Sequence, residues 1–203
     1  MMRNTGRVST PPLPVESLPL FPLHAVLLPG AAMSLRVFEP RYLDLVRECG
    51  RNGHGFGICL IIDGEEVGAV ASAAAYGTEA VVEDFATGDD GLLVLHVRGG
   101  RRFHVHRVRV RDNGLQVADV SWCADDVVEP LQPEHGLLAT LLHEVIDKVG
   151  GEHAKADESR FDDAAWVGWR LAEMLPLENP QRQVLLQTQD PHERLQQVLA
   201  LLP

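Results

Sequence analysis

Lysine is scarce in this chain: Lys148 and Lys155 are the only two among 203 residues. Neither follows a glycine, so the Gly-Lys pair with which a P-loop cradles phosphates is missing, and the sequence holds no Walker A motif. Cysteine is sparse too. Cys49, Cys59 and Cys123 are odd in number, widely spaced and without a CxxC pair. That pattern argues against a disulfide framework or a zinc ribbon and for a reduced, cytoplasmic protein. No apolar run approaches the ~20 residues that a membrane helix needs. The opening MMRNTGRVSTPPLPVES lacks the apolar core and cleavage pattern of a secretion signal and reads as a loose lead-in. No serine stands in a GxSxG or SxxK context, so a nucleophile elbow or a Ser-Lys pair has no local support. His143-Glu144 starts an HExxH pattern, but Asp147 stands where the second zinc-binding histidine belongs. Basic residues are outnumbered 18 to 29, and a net charge of -11 opposes nonspecific binding to a phosphate backbone.

What is present is ordinary globular material, 45% apolar and 23% charged, organised around Leu18 to Val46. In LPLFPLHAVLLPGAAMSLRVFEPRYLDLV, the segments LPLF and SLRVF are expected strands. Pro19, Pro22 and Pro29 confine the first to a sheet edge or to strand ends, because proline cannot donate to the ladder. Pro40 suits the first turn of a helix, and Tyr42, Leu45, Val46 and Cys49 then recur at the spacing of one buried face. Arg41, Asp44, Arg47 and Glu48 take the other positions, and Gly50 and Gly53 offer a stop. Gly55 to Ile62 reads as a short buried strand. Turn signals at Asp63-Gly64, Gly88 to Gly91, Gly99-Gly100 and Asp112 to Gly114 predict a β-meander of at least four strands ending at Trp122. Apolar parity changes between Phe103/Val105 and Val108/Val110, which predicts a bulge near His106-Arg107, a device of curved, closing sheets. After the Pro130 to Pro133 linker, four amphipathic helices are expected. The first carries Leu137, Leu138, Leu141, Leu142 and Val145, and the second Phe161, Ala165, Gly168, Leu171 and Leu175. The third starts at Asn179-Pro180 and the fourth at Asp190-Pro191, where Asp190 and Glu193 have capping-box spacing. The domain reading is a lead-in over residues 1–17, a β-rich part over 18–124 and a helical part over 125–203.

Several side-chain groups carry potential chemistry. His104 and His106 form an HxH pair beside which His96 could complete a three-histidine site; solvated strand histidines are the plainer reading. His143, Asp147 and His153 read as ordinary polar helix positions. Arg107, Arg109 and Arg111 share a strand face that could meet RNA, or form a solvated face balanced by the acidic helical part. From Arg98 to Arg111 there are six arginines and no carboxylate, whereas Cys123 to Asp163 holds eleven acids and three Lys/Arg. Trp166 and Trp169 read as core or as a joint between parts, and Cys49 and Cys59 as buried, inert thiols.

LPLFPLHAVLLPG followed by LRVFEPRYLDLV resembles the start of the Lon N-terminal, substrate-binding domain family. The resemblance continues in order through GFGICLI, the GxxRF arrangement of Gly99, Arg102 and Phe103, VADVSW ending at Trp122, and LPLENPQRQVLLQTQDPHERL. It implies an α+β fold: a PUA-like β pseudobarrel, its sheet mixed and mostly antiparallel with one early helix, followed by a C-terminal helical bundle. In the full-length proteases such a domain gathers unfolded or tagged polypeptides, while separate AAA+ and Ser-Lys modules hydrolyse ATP and peptide bonds. Neither module is encoded in these residues, so the chain by itself is expected not to cleave peptides. Glu39, Pro40, Arg41 and Arg102 fall on the family pattern as structural junction residues, the Glu39/Arg41 pair serving backbone groups near the helix start. An apolar groove near Pro22, Leu23, Phe38 and Tyr42 is the expected place for an extended peptide to dock by strand addition.

Three functional classes follow. The first is a non-catalytic polypeptide-binding module, an adaptor or quality-control factor working with a separate protease or chaperone, with no cofactor and no metal. The second is an RNA- or nucleotide-binding PUA-like module, suggested by the arginine-rich strand and by fold analogy. The third is a metal-dependent hydrolase built on the scattered histidines.

Overall fold

The computed structural model describes residues 16–68 and 72–202. Within them the fold is α+β: β1 (Glu16–Leu23), β2 (Ala32–Val37), α1 (Pro40–Asn52), β3 (Phe56–Asp63), β4 (Ser72–Thr87), β5 (Leu93–Val110), β6 (Gln116–Trp122), α2 (Gly136–Val149), α3 (Ala164–Met174), α4 (Asn179–Gln187) and α5 (Pro191–Leu201). The lead-in read over residues 1–17 lies, for residues 1–15, outside the described residues; Glu16 and Ser17 already belong to β1.

The strands form one sheet in the order β2-β5-β4-β3-β1-β6, and β6 pairs with β5 as well, so the pairings lead from β5 round to β5 again. Only β1 and β3 run parallel. β1 is not an edge strand, one of the two places its prolines allowed; Pro22 does sit next to the strand's end. Glu16 to Pro19 pair with β6 and Leu20 to Leu23 with β3, so the strand changes partner midway. Pro19 and Pro22 therefore each lie in a half-strand that pairs with one neighbour, where a residue without an N–H is tolerated when that position faces the unpaired side.

Gly99-Gly100 is not a turn. β5 runs straight through it for 18 residues, and among the described residues from Val67 to Trp122 there are three strands rather than four or more. The glycine is needed for close approach. Gly30 N–H donates to the Gly99 carbonyl at 2.8 Å and Gly99 N–H to the Ala31 carbonyl at 2.9 Å, and a Cβ on Gly99 would collide with the Leu28 carbonyl oxygen. The Pro29-Gly30 turn is thereby pressed onto β5. The expected bulge is present: the β5–β6 register shifts between Val105 and Arg107.

α1 ends at Gly53, whose left-handed backbone (φ 67) lets its N–H reach the Cys49 carbonyl at 2.9 Å. α3 starts later than the apolar stripe suggested. Asp163 is extended and its carboxylate accepts the Ala165 N–H at 3.1 Å, leaving Phe161 in a preceding 3-10 turn. Asp190 caps α5 by accepting the N–H groups of His192 and Glu193 at 2.8 and 3.0 Å. One continuous apolar core joins sheet residues such as Leu35, Phe56 and Leu95 to helix residues such as Leu142, Leu171, Leu185 and Leu195. A smaller one, Leu18, Leu20, Cys59, Phe103, Ala118 and Val120, is built by strands alone.

Candidate functional site

Glu39 precedes Pro40 with extended backbone (φ -72, ψ 136), the conformation that a following proline ring enforces. Its carboxylate pairs with the Arg41 guanidinium at 3.1 Å and accepts the Gly68 N–H at 3.4 Å. Arg41 in turn donates to the carbonyls of Gly114 at 3.4 Å and Glu66 at 3.5 Å. The pair thus ties the loop after β3 and the turn before β6 to the helix, rather than serving the helix start itself. These two loops cover Arg41, which helical spacing had placed on the open side, and bury it.

Beside this junction Tyr42 stacks on Phe21, with ring centroids 3.9 Å apart and planes at 11°. Burial pushes the Tyr42 hydroxyl above its ordinary pKa, with Arg41 pulling weakly the other way, so it stays protonated. Phe21, Leu23, Met33, Leu35, Phe38 and Tyr42 wall a groove of about 400 Å³. Three of the four expected residues, Leu23, Phe38 and Tyr42, are brought together here. Pro22 is not: it is buried opposite Cys59 in the β1–β3 ladder and forms no part of the groove wall. Phe38 is 49% exposed. Four successive residues of β2, Met33 to Arg36, line the groove, and among the described residues β2 is the outermost strand, paired with β5 alone.

Arg102 has a different task. Its guanidinium donates to the carbonyls of Leu186 and Thr188 at 3.2 and 3.0 Å and to the Asp126 carboxylate at 3.0 Å. Arg194 reaches the same carboxylate at 3.1 and 3.2 Å and the Thr188 carbonyl at 2.8 Å, and lies 3.5 Å above the Trp169 ring, whose N–H also donates to Asp126 at 2.6 Å. Burial lowers the Arg194 pKa to about 10, against the pull of Asp126, so it remains charged at neutral pH. Two guanidiniums and an indole converge on one carboxylate and bolt β5 to α3, α5 and the α4–α5 turn. Sequence reading passed over Asp126 and Arg194. Arg194 did carry a signal, since Pro191, Arg194, Leu195 and Val198 recur at i, i+3, i+4, i+7 on the buried face of α5. Asp126 carried none, sitting in an acidic connector beside Asp125.

Residues 17–203 match the family model described as the ATP-dependent protease La (LON) substrate-binding domain. The chain belongs to the Lon substrate-binding domain family. It is similar to the crystal structure of a Lon N-terminal domain protein from Xanthomonas campestris, at 58% identity with a TM-score of 0.80, over 93% of this chain and 99% of that one. The N-terminal domain of the Mycobacterium avium complex Lon protease shares the fold at 16% identity, with a TM-score of 0.67 over 91% of this chain and 97% of that one.

In this Lon-family domain the arginine-rich strand is engaged internally. Arg98 pairs with Glu83 at 2.8 Å and Glu152 at 2.5 Å, Arg101 with Glu79 at 3.3 Å, Arg109 with Asp119 at 2.6 Å and Arg111 with Glu48 at 2.5 Å. Arg107 alone of the six lacks a carboxylate partner among the described residues, which leaves little for a phosphate backbone to hold. The histidines do not converge. His104 and His106 sit edge-on at 5.0 Å, His106 bonds Ser121, and His96 bonds Ser34 instead. His143 stacks on Phe161, while His153 faces Glu173 and Arg170. Among the described residues no group of three or more His, Cys, Asp or Glu is placed to hold a metal ion. Burial pushes the Cys49 thiol up to about 11 and the Cys59 thiol to about 12, so neither is a nucleophile at neutral pH. No described helix is long and apolar enough to cross a membrane.

A second groove, of about 850 Å³, was not foreseen. It runs between the C-terminal half of α1 and the far half of β4, with Val46, Cys49, Val82, Phe85, Leu93 and Leu95 on its walls.

Proposed function

We propose that the chain is a non-catalytic polypeptide-binding module in which an extended segment adds to the free edge of β2 and seats side chains between Leu23, Phe38 and Tyr42. The observation that carries this reading is an outermost strand whose residues Met33 to Arg36 line an apolar groove. An exposed strand offers unpaired N–H and C=O groups to a partner chain, and the groove offers pockets for alternate side chains. The half-exposed Phe38 supports it, because an exposed aromatic beside a buried Tyr42/Phe21 stack supplies contact area without loosening the core. The round of strand pairings supports the PUA-like pseudobarrel as the frame. In this reading the module gathers unfolded polypeptide in the cytoplasm as an adaptor or quality-control factor for a separate protease or chaperone, uses no cofactor, and cleaves nothing itself. The arginine strand, whose arginines apart from Arg107 pair with carboxylates of other segments, gives the RNA-binding reading no support.

The test is titration with a fluorescently labelled, reduced and unfolded model protein. Phe38→Ala and Met33→Ser, both at positions outside the fully buried core, should each weaken binding about tenfold, the loss of one well-seated apolar side chain. Unchanged affinity in both variants removes this groove from consideration.

A further inference from the structure

The second groove is built by a bulge. β4 pairs with β3 only as far as Ala80 opposite Phe56; beyond that point its residues pair with β5 alone, and no strand among the described residues continues the lane of β3. The β4–β5 register shifts between Val82 and Asp84, so Glu83 is an extra residue. Directly opposed residues on antiparallel strands point to the same face. Val82 opposes Val97 and Phe85 opposes Leu95, and both Val97 and Leu95 are buried. Without the bulge Val82 and Phe85, three positions apart, would face opposite ways; with it both turn toward the groove. Phe85 is nonetheless 70% exposed, and Val81 and Val82 are exposed beside it. An unpaired strand edge next to an uncovered aromatic is the feature that soluble proteins otherwise blunt.

The rim is acidic. Glu79, Glu83 and Asp84 line the groove against a single guanidinium, Arg101, which already pairs with Glu79 and stacks over Trp122 at 3.8 Å. Glu83 is held by Arg98, whereas Asp84 pairs with no cation among the described residues, its carboxylate accepting only the Phe85 N–H. This charge pattern selects the occupant. A second copy pairing edge to edge would bring Glu83 and Asp84 against their own counterparts, and like charges opposed across a ladder repel. Residues 1–15 of this chain contain Pro11, Pro12 and Pro14, which cannot donate ladder hydrogen bonds. An extended polypeptide with apolar and basic residues in alternation meets every requirement: N–H and C=O groups for the β4 edge, apolar side chains for Val82 and Phe85, and cations for Asp84 and its neighbours.

We propose that the edge of β4 from Val81 to Thr87 is a second docking lane, accepting by strand addition an extended polypeptide segment that alternates apolar and basic residues. It is separate from the β2-side groove and stands or falls independently of it.

The experiment uses the full chain and two labelled synthetic decapeptides of alternating valine/phenylalanine and charged residues, one with lysine and one with glutamate at the charged positions. The lysine peptide should bind wild type and slow amide hydrogen exchange across Val81 to Thr87. Phe85→Ser should weaken it at least tenfold, and Asp84→Lys should weaken it while improving the glutamate peptide. Phe85 and Asp84 are exposed, so both variants should fold, as checked by circular dichroism. Three results overturn the proposal: equal affinity of wild type, Phe85→Ser and Asp84→Lys for the lysine peptide; protection that maps to β2 instead of β4; or a wild-type dimer in sedimentation that Phe85→Ser dissociates. A gain in peptide affinity on deleting residues 1–15 would make the chain's own N-terminal segment the occupant and equally overturn it.

Discussion

The two grooves share one helix and one small sheet, yet they are made from opposite materials. α1 contributes Tyr42 to the first and Val46 and Cys49 to the second, and the two grooves border the β2 and β4 edges of the β2-β5-β4 arm. On the β2 side most of the apolar wall is core that happens to be reachable: Phe21, Leu23, Leu35 and Tyr42 are buried, while Phe38 and Val67 stand out. On the β4 side Cys49 and Leu95 are buried, but the β4 wall is surface, with Val81, Val82 and Phe85 exposed and a carboxylate rim around them. A groove cut into the core is rigid and costly to alter, while one laid on an exposed strand edge can be altered without touching stability. The comparison teaches that exposure, not groove size, separates residues that carry binding from those that also carry the fold.

Four measurements would break or sharpen that contrast. Asp126→Ala strips the partner from two buried guanidiniums and should cost about 3–5 kcal/mol in urea unfolding, since an uncompensated buried charge is left behind. Because this network fastens β5, the strand to which both β2 and β4 are paired, peptide affinity should fall on both sides together; loss on one side only would show that the arm does not move as a unit. Tyr42→Ala should cost about 3 kcal/mol through the lost stack on Phe21, and Phe85→Ala should stay within about 0.5 kcal/mol of wild type. Equal losses would abolish the distinction between a core groove and a surface one.

The third measurement concerns Glu48, which anchors α1 to Arg111 at 2.5 Å. That hydrogen bond lowers the carboxyl pKa below its ordinary 4.5. A lowered folded value means that the stabilisation is present above pH 4.5 and is lost as pH falls through the folded pKa. Glu48→Gln should therefore flatten the acid limb of the stability curve, by less than about 1 kcal/mol for so exposed a pair. The smallest effect is chemical. At pH 8 iodoacetamide should leave Cys49 and Cys59 untouched until the protein unfolds, because burial holds their thiols at about 11 and about 12. Prompt labelling of Cys49 in the native state would mean that the β4-side groove opens deeper than its walls suggest.

Much of the frame was legible in the chain. Pro40 with the Tyr42, Leu45, Cys49 spacing located α1, the parity change after Val105 located a bulge, and Asn179-Pro180 and Asp190-Pro191 located two helix starts. These are local rules, settled by backbone chemistry and side-chain period within a few residues. Leu23, Phe38 and Tyr42 were legible as a group for the same reason: they lie within twenty residues of one another in a single apolar stretch. Where local rules failed, a distant segment had intervened. Gly99-Gly100 reads as a turn until the Pro29-Gly30 turn is seen pressing on it, and Arg41 reads as exposed until two loops close over it.

By itself, then, the sequence determined the α+β class, the family, the helix starts and the apolar stretch that makes the β2-side groove. Only tertiary structure decided that β1 changes partners midway, that Asp126 holds two arginines, that the strand arginines apart from Arg107 pair with carboxylates, and that a bulge at Glu83 turns Val82 and Phe85 to one side of an open edge. The physical reason is common to all four. Each depends on which strand or carboxylate stands opposite, and pairing across the fold leaves no period or spacing in the chain to be read.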